Sequence, residues 1–511
     1  SICVNRDRAI AQKQITKNLK KKYPGILNYN GKNYTIELRL KGDWADHLLG
    51  NKWSYRISIK NGDSFLGMKT FSIQDPKTRG FMHEWVLHKL FKKEDVLTTR
   101  FDFLPITVNG SHSGVYAIEE HFEKQLIESS NRREGVIVKL DEEGLWEQRA
   151  YPNYGDIHDG SSKLAYETAE IKPFKEKRTR KKEALAKQYL VAQNLMNKYK
   201  EGVPNLSNYM DVNKLAKAYA ILNIGNTYHS FVWHNQRFYY NPVLSKLEFI
   251  AFDCYPSLED ANRRTPLITG INSKKEDLTD SENYCFLKPL NDDEFKTQYL
   301  KYLKKYTSEN FIENFLEENQ TEIDSLTALL AEDYLTFNYN KGFLPKNRNE
   351  IKKQLIKFEN KVNNNELSFK LKKFDFPTKC EPHAPLKSIT LRANIESKGI
   401  KKKRVSLKNY HCQTLTVVGY SLKTNKDSLI KLPRTIKVER FNKTSNNKFI
   451  ELPLTVKKLY YSVDGLSLDT LFSAKISAWP RVKPIDEKRD FGVKANSKYA
   501  IKEGKVTFKK G

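Results

Sequence analysis

Hydrophobic and polar residues alternate without a break from Lys52 to Lys60. Trp53, Tyr55, Ile57 and Ile59 fall on one face of a strand, and Lys52, Ser54, Arg56, Ser58 and Lys60 on the other. The apolar set is expected to pack into a core. The opposite face carries three cations, a row that can track phosphates and that equally suits an ordinary half-solvated strand. Further strands are predicted at about 33–41 and 69–73, and FDFLPITVNGSHSGVYAI reads as two strands joined at the tight-turn pair Asn109-Gly110. A basic helix is expected over 5–22 and another over 79–92. Glu119 and Glu120 close the second strand of the hairpin and open a helix that runs to about Ser130, before the short apolar strand VIVKL.

Residues 147–175 are aromatic and polar without a clear period, which predicts a long loop or insertion. Helices are predicted over 176–200, 211–224, 292–318, 320–335 and 346–363, with QRFYYNP and KLEFIAFD as strands between them. Near Phe374 the pattern changes to short β-branched strands, SITLRANI, KRVSLKN, LTVVGYSL, FIELPLTV and SAKISAWP, separated by regular turns as in a β-sandwich. KYAIKEGKVTFKKG reads as strands that stop in mid-pattern, so the natural chain is expected to continue past Gly511. The expectation is an α+β domain over 1–365, an all-β, sandwich-like domain over 366–485, and C-terminal strands over 486–511 that begin a further β domain.

Composition adds a charge. The 511 residues include 89 Lys and Arg against 61 Asp and Glu, a formal charge of +28. Such an excess favours anionic partners such as nucleotides, anionic polymers or membrane surfaces. The lysines are scattered, however, and a coding bias combined with solubility explains them equally well. No apolar stretch is long enough to span a membrane, and the start at Ser1 leaves room for a removed upstream signal or anchor. Five widely spaced cysteines, at 3, 254, 285, 380 and 412, form no zinc pattern and no evident disulfide framework, so they do not reveal the compartment.

Several site chemistries fail on their residues. Gly62 and Gly67 have P-loop spacing, but Met68 stands where the lysine belongs, and Asn61-Gly62 is better read as a hairpin turn. Cys380 and His383 lack a second pair for zinc, His47 and His88 lack a partner at metal-ligand spacing, and no G-x-S-x-G is present. The basic runs Lys175–Lys182 and Lys401–Arg404 have no interleaved aromatics and read as solvated faces, so no specific nucleic-acid signal is found.

GVYAIEEHF resembles the GVY-x-x-x-E element of the CotH (spore-coat protein H) kinase-like family. RLKGDWADHL with KWSYRISI resembles that family's glycine-containing strand pair followed by K-x-S-[YF]-R, and WHNQRFYYNPVLSKLEFIAFD resembles its segment with Asn before a strand pair and Asp after it. The matches run in order from Ile36 to Asp253, closest to a branch reading LKGDW-DHL, KWS-R, EWV-H, EEHF, RREG and RFYYNP. The resemblance implies an atypical, two-lobed protein-kinase-like domain that uses ATP and Mg or Mn. By the same resemblance Lys52 is the phosphate cation, with Lys41 and Arg56 beside it. Glu120 is the acid expected to pair with Lys52, and Glu119 is its immediate alternative. Asp253 matches the metal-binding aspartate and Asn235 a second metal ligand.

Two departures stand out. Asn226-Thr227-Tyr228 replaces the family's N-x-D and Asp253-Cys254-Tyr255 its D-x-D, so two carboxylates are missing. Tyrosine, with a pKa near ~10, replaces neither function at neutral pH. His229 follows Tyr228 and can serve as the base, although His229 and His234 also suit hydrogen-bonded structural roles. Asn235 and Asp253, at the two ends of a strand pair, are expected to converge with His229, and Asp253 is expected to line a solvated cleft. The functional expectation is a nucleotide-dependent phosphotransferase-like protein acting on a protein or polymer acceptor. The alternative is a catalytically inactive pseudokinase or surface-binding module that holds an anionic partner on Lys41, Lys52 and Arg56. An extracytoplasmic or cell-surface location is expected.

Overall fold

The computed structural model describes residues 1–149, 163–255, 264–272, 277–278, 281–372, 384–422, 428–440, 448–467, 470–480, 499–502 and 505–508. Its N-terminal part is an antiparallel sheet of β1 (Tyr23–Tyr29), β2 (Lys32–Leu40), β3 (Tyr55–Ile59), β4 (Thr70–Gln74), β6 (Phe101–Val108) and β7 (Ser111–Glu120), in the order β1-β2-β3-β4-β7-β6. Ile57 and Ile59 enter the core beneath it with Ile36, Phe71, Ile73 and Ile118, as their alternation requires. The expected helix over 5–22 ends early, at Ala11, and β1 follows. Pro24 and Gly25 hide β1 from a pattern reading, but it is an edge strand, where a missing N–H is tolerated.

A second sheet combines β5 (Leu97–Thr98), β8 (Ile137–Leu140), β9 (Ile171–Pro173), β10 (Arg237–Asn241) and β11 (Lys246–Ala251) in the order β5-β11-β10-β8-β9. β10 and β11 form the expected antiparallel pair, with Asn241 opposite Lys246. Helices Met82–Lys93, Glu183–Glu201, Val212–Ile224, Asp293–Tyr306 and Phe343–Asn363 share the large apolar core with this sheet. The stretch expected as a loop at 147–175 contains helix Lys163–Thr168 and β9, while 150–162 lies outside the described residues. A Pro-containing strand of three residues is too short to show a period.

Two-residue strands β12 (Asp277–Leu278) and β13 (Lys370–Leu371) pair in parallel. Then come β14 (Leu391–Lys398), β15 (Lys402–Asn409), β16 (Leu415–Ser421), β17 (Ile430–Val438), β18 (Lys448–Pro453), β19 (Lys458–Val463) and β20 (Phe472–Pro480). They form one sheet, β17-β16-β19-β20-β14-β15-β18, that curls around a single core containing Leu391, Val405, Val417, Leu452 and Leu459. A bridge from Asn409 to Arg440, just past β17, nearly closes it. β21 (Tyr499–Lys502) and β22 (Lys505–Phe508) pair antiparallel. The whole is a mixture of α and β structure with sizeable sheets. Cys412 is disulfide-bonded, a bond that cysteine spacing did not reveal; Cys380 and His383 lie outside the described residues.

Candidate functional site

Three strand ends of the N-terminal sheet meet at one point. Lys41 follows β2, Gln74 ends β4, and Glu119 lies one residue before the end of β7. Lys41 Nζ donates to Gln74 Oε1 at 2.6 Å and to Glu119 Oε2 at 3.0 Å, and all three side chains are buried. The glycine after Lys41 permits this. Gly42 has φ +107°, and a Cβ there would strike the ring of His47. Burial lowers the Lys41 pKa to about 8, with Arg79 and Arg56 pushing the same way and Glu119 resisting. Glu119 is penalised by burial, yet Lys41 and Arg79 hold its pKa below the ordinary value. At neutral pH the pair is ionic.

The structure therefore corrects the expected Lys52–Glu120 pair. Consecutive residues of a strand point to opposite faces, so Glu119 turns inward to Lys41 and Glu120 turns to Arg100, whose Nε and Nη2 it accepts at 2.9 and 2.6 Å. Lys52 lies before β3 begins and leaves the alternating row. It pairs with Asp333 and also donates to Tyr334 Oη at 2.9 Å and the Val115 carbonyl at 3.0 Å. Arg56, expected beside Lys52, lies instead against His121 and close enough to Lys41 to repel its charge, and burial lowers its pKa to about 10.

Opposite Lys41 and Glu119 lies Asp253, just past β11, in the left-handed region at φ +51°. Its carboxylate accepts from Asn235 Nδ2 at 3.3 Å and faces His229 Nδ1 at 3.3 Å. Asn235 also donates to the His229 carbonyl at 3.1 Å. These three residues converge as the strand pair implied. Asp253 is nevertheless buried, not lining open solvent, and Arg79 Nε stands 3.1 Å from its Oδ1. Burial opposes the Asp253 charge, but Arg79 and His229 overcome it and hold the acid far below the usual carboxylate range. His229 is raised by Asp253 against the same burial. Glu119 and Asp253 feel each other's charge, so the two halves form one electrostatic unit.

Arg79 escaped the sequence reading, and so did the device that fixes the Asp253 turn. Glu84, on helix Met82–Lys93, accepts from the backbone N–H of Cys254 at 3.1 Å and of Tyr255 at 2.7 Å. His88, one turn on, faces Glu84 through Nε2 at 2.8 Å and the Thr99 carbonyl through Nδ1 at 2.7 Å. Both ring nitrogens lie within hydrogen-bond distance of oxygens, and Glu84 with the Thr99 carbonyl raises the His88 pKa against burial. Glu84, His88 and Cys254 cluster closely enough to suggest a metal, but both Glu84 oxygens already accept backbone N–H groups and both His88 nitrogens already have hydrogen-bond partners. The spacing of Glu84 and His88 on one helix face was the available signal.

A family model, the CotH kinase protein, matches residues 38–366. The chain belongs to the CotH kinase family. No curated protein matches it. The two tyrosines at the missing acid positions of this CotH chain do not face Asp253. Tyr228 donates to the Leu267 carbonyl at 2.5 Å, and Tyr255 stacks on His83 at 5.0 Å, covering Gly80. Glu119 Oε1 is buried without a hydrogen-bond partner, and Asp253 Oδ1 is faced by the Arg79 guanidinium alone. Carboxylate oxygens are donors that suit Mg²⁺ or Mn²⁺, but Asn235 would have to turn its oxygen inward to join them, since its Nδ2 now faces Asp253. Asp253, with Asn235 so turned, is the pair that could hold a divalent ion.

Proposed function

We propose that this CotH protein is a nucleotide-dependent phosphotransferase with a two-lobed, kinase-like architecture, acting on a protein or polymer acceptor. The observation that carries this reading is the buried Lys41–Gln74–Glu119 cluster facing Asp253, Asn235 and His229. An acid-oriented lysine is the part that holds nucleotide phosphates, and a carboxylate with an amide is the part that holds their metal. Lys41 and Glu119 take the places first assigned to Lys52 and Glu120. A divalent ion bound by Asp253 and Asn235 would neutralise charge on the phosphates. His229 is the proton acceptor for an incoming hydroxyl, provided that nucleotide binding frees it from Asp253.

The pseudokinase reading is favoured by one specific observation, the Arg79–Asp253 ion pair, which already satisfies the carboxylate's charge. Melting curves with ATP, with and without Mg²⁺ or Mn²⁺, separate the readings. Occupancy at a hundredfold over Kd stabilises by about 2.7 kcal/mol. A metal-dependent rise that Lys41→Ala abolishes, together with phosphate transfer from labelled ATP that Asp253→Asn abolishes, is the expected result. Binding without transfer supports the pseudokinase; no binding with any metal removes both nucleotide readings. Asn replaces Asp253 here because it keeps the shape and an acceptor oxygen for Arg79 in the interior, which Ala would not. We place the protein at the cell surface, in keeping with the disulfide at Cys412.

A further inference from the structure

The β14–β15 hairpin ends in a turn whose composition contradicts its position. The N–H of Gly399 donates to the Lys402 carbonyl at 2.8 Å, which leaves Ile400 and Lys401 at the corners. Turn corners favour Gly, Asn, Asp and Ser, because these residues need no apolar partner. Here the corner is a β-branched aliphatic residue that is 95% exposed. Ile400 adds nothing to the core beneath it.

A second turn stands beside the first. The Leu454 N–H donates to the Lys401 carbonyl at 3.3 Å, and Leu454 is also an exposed apolar side chain. Lys403 clamps the two turns together. Its buried ammonium donates to the carbonyls of Leu454 at 3.3 Å and Val456 at 2.5 Å. The two turns are therefore tied together through their backbones, with both apolar side chains outside. Around them Lys398, Lys401, Lys402, Arg404 and Lys457 are exposed cations. Lys398 and Lys457 lie close enough to Lys403 to repel its charge. Glu451, opposite Arg404 in the strand register, is the acid that lines the hollow beside the tip.

We propose that this double turn is a docking surface for an anionic lipid bilayer, with Ile400 and Leu454 entering the headgroup boundary and the surrounding cations contacting lipid phosphates. Charge complementarity identifies the sign of the partner, and the exposed aliphatic corner distinguishes a bilayer from a soluble polyanion. Cations alone suffice for a polymer, whereas an apolar tip gains only where there is hydrocarbon to enter. Stable peripheral binding takes two such signals acting together. Burying an isoleucine strengthens binding roughly ten- to hundredfold, and each cation at an anionic surface contributes about fivefold.

The test is co-sedimentation of the full chain with phosphatidylglycerol-containing vesicles, pure phosphatidylcholine vesicles and soluble polyphosphate. Ile400→Ser and the double variant Lys401→Glu/Lys402→Glu are compared with the wild type, and melting curves confirm that both are folded. The expected result is binding to phosphatidylglycerol vesicles alone, weakened by salt, about tenfold by Ile400→Ser and more than that by the charge reversal. Absence of vesicle binding overturns the proposal. So does binding that both variants leave unchanged, which would assign it to the remaining charge of the chain. Binding to polyphosphate that depends on Lys401 and Lys402 but not on Ile400 would show the tip to be a polyanion site instead.

Discussion

At the scale of single residues, the site turns on which of two adjacent glutamates faces inward. Glu119 does, and Lys41 with Gln74 receives it in a buried cluster. Removing one member of a buried ion pair leaves an uncompensated charge, whereas replacing both with apolar groups is often neutral. Lys41→Met and Glu119→Leu are each expected to lower unfolding free energy by about 3–5 kcal/mol, and the double variant by much less than their sum. Urea denaturation of the four proteins measures this. Additive losses would mean that the two side chains are not a pair. Lys52→Met should cost less than Lys41→Met, because its partner Asp333 retains contact with solvent and a hydrogen bond from the Val115 N–H.

At the scale of elements, helix Met82–Lys93 does more than cover the sheet. It carries Glu84 to the backbone of Cys254 and Tyr255, and so holds the left-handed turn at Asp253. Gly80, just before the helix, has φ +61° and lies under the Tyr255 ring, so the same turn is gripped from both sides. Backbone in this region costs roughly 1–3 kcal/mol unless its surroundings impose it. Glu84→Gln keeps the shape but weakens its charge-assisted hydrogen bonds to the Cys254 and Tyr255 N–H groups and removes the carboxylate that His88 faces. It should cost about 3–5 kcal/mol of stability. It should also diminish the metal-dependent response to ATP in the folded protein, measured by calorimetric titration well below the melting temperature. An unchanged response would show that the Asp253 turn is held by other contacts.

At the scale of the whole molecule, buried histidines set the response to acid. Burial holds His47 and His234 at about 3 and His83 at about 4, and pushes His121 well down, with nearby cations adding to His47 and His121. Between these values and ~6.5 the unfolded chain binds protons that the folded chain refuses, so stability falls as pH falls through that window. Each such proton contributes about 1.4 kcal/mol per pH unit. His88 and His229 work in the opposite sense. Their pKa values are raised, so their stabilisation is complete below ~6.5 and is lost as pH rises through the folded values. Below ~6.5 the two raised groups add no slope, so the four depressed ones should make the protein less stable at pH 5 than at pH 6.5 by urea midpoint, and His83→Phe should flatten that acid limb. A midpoint that rises on acidification would show that these rings are not buried neutral.

The sequence by itself determined the period-two strands, because alternation reports which face of a strand is covered. It also carried the ordered motifs of the CotH family, the hairpin at Asn109-Gly110, the strand pair that returns Asn235 to Asp253, and the β-rich C-terminal pattern. It did not show β1, whose Pro and Gly interrupt any period, or β9, which is too short to have one. Only the tertiary structure decided between Lys41 and Lys52, since motif spacing counts residues and cannot say where a strand stops alternating. The same limit applies to Glu119 and Glu120, which one residue of register separates and opposite faces of a sheet divide. Arg79, Glu84 and His88 became site residues only when the helix beyond β4 was packed against the end of β11, a contact between segments about 170 residues apart. Local pattern records the environment of a residue along its own element. Which charges meet in the interior is settled by packing between elements, where burial makes each pairing worth several kcal/mol.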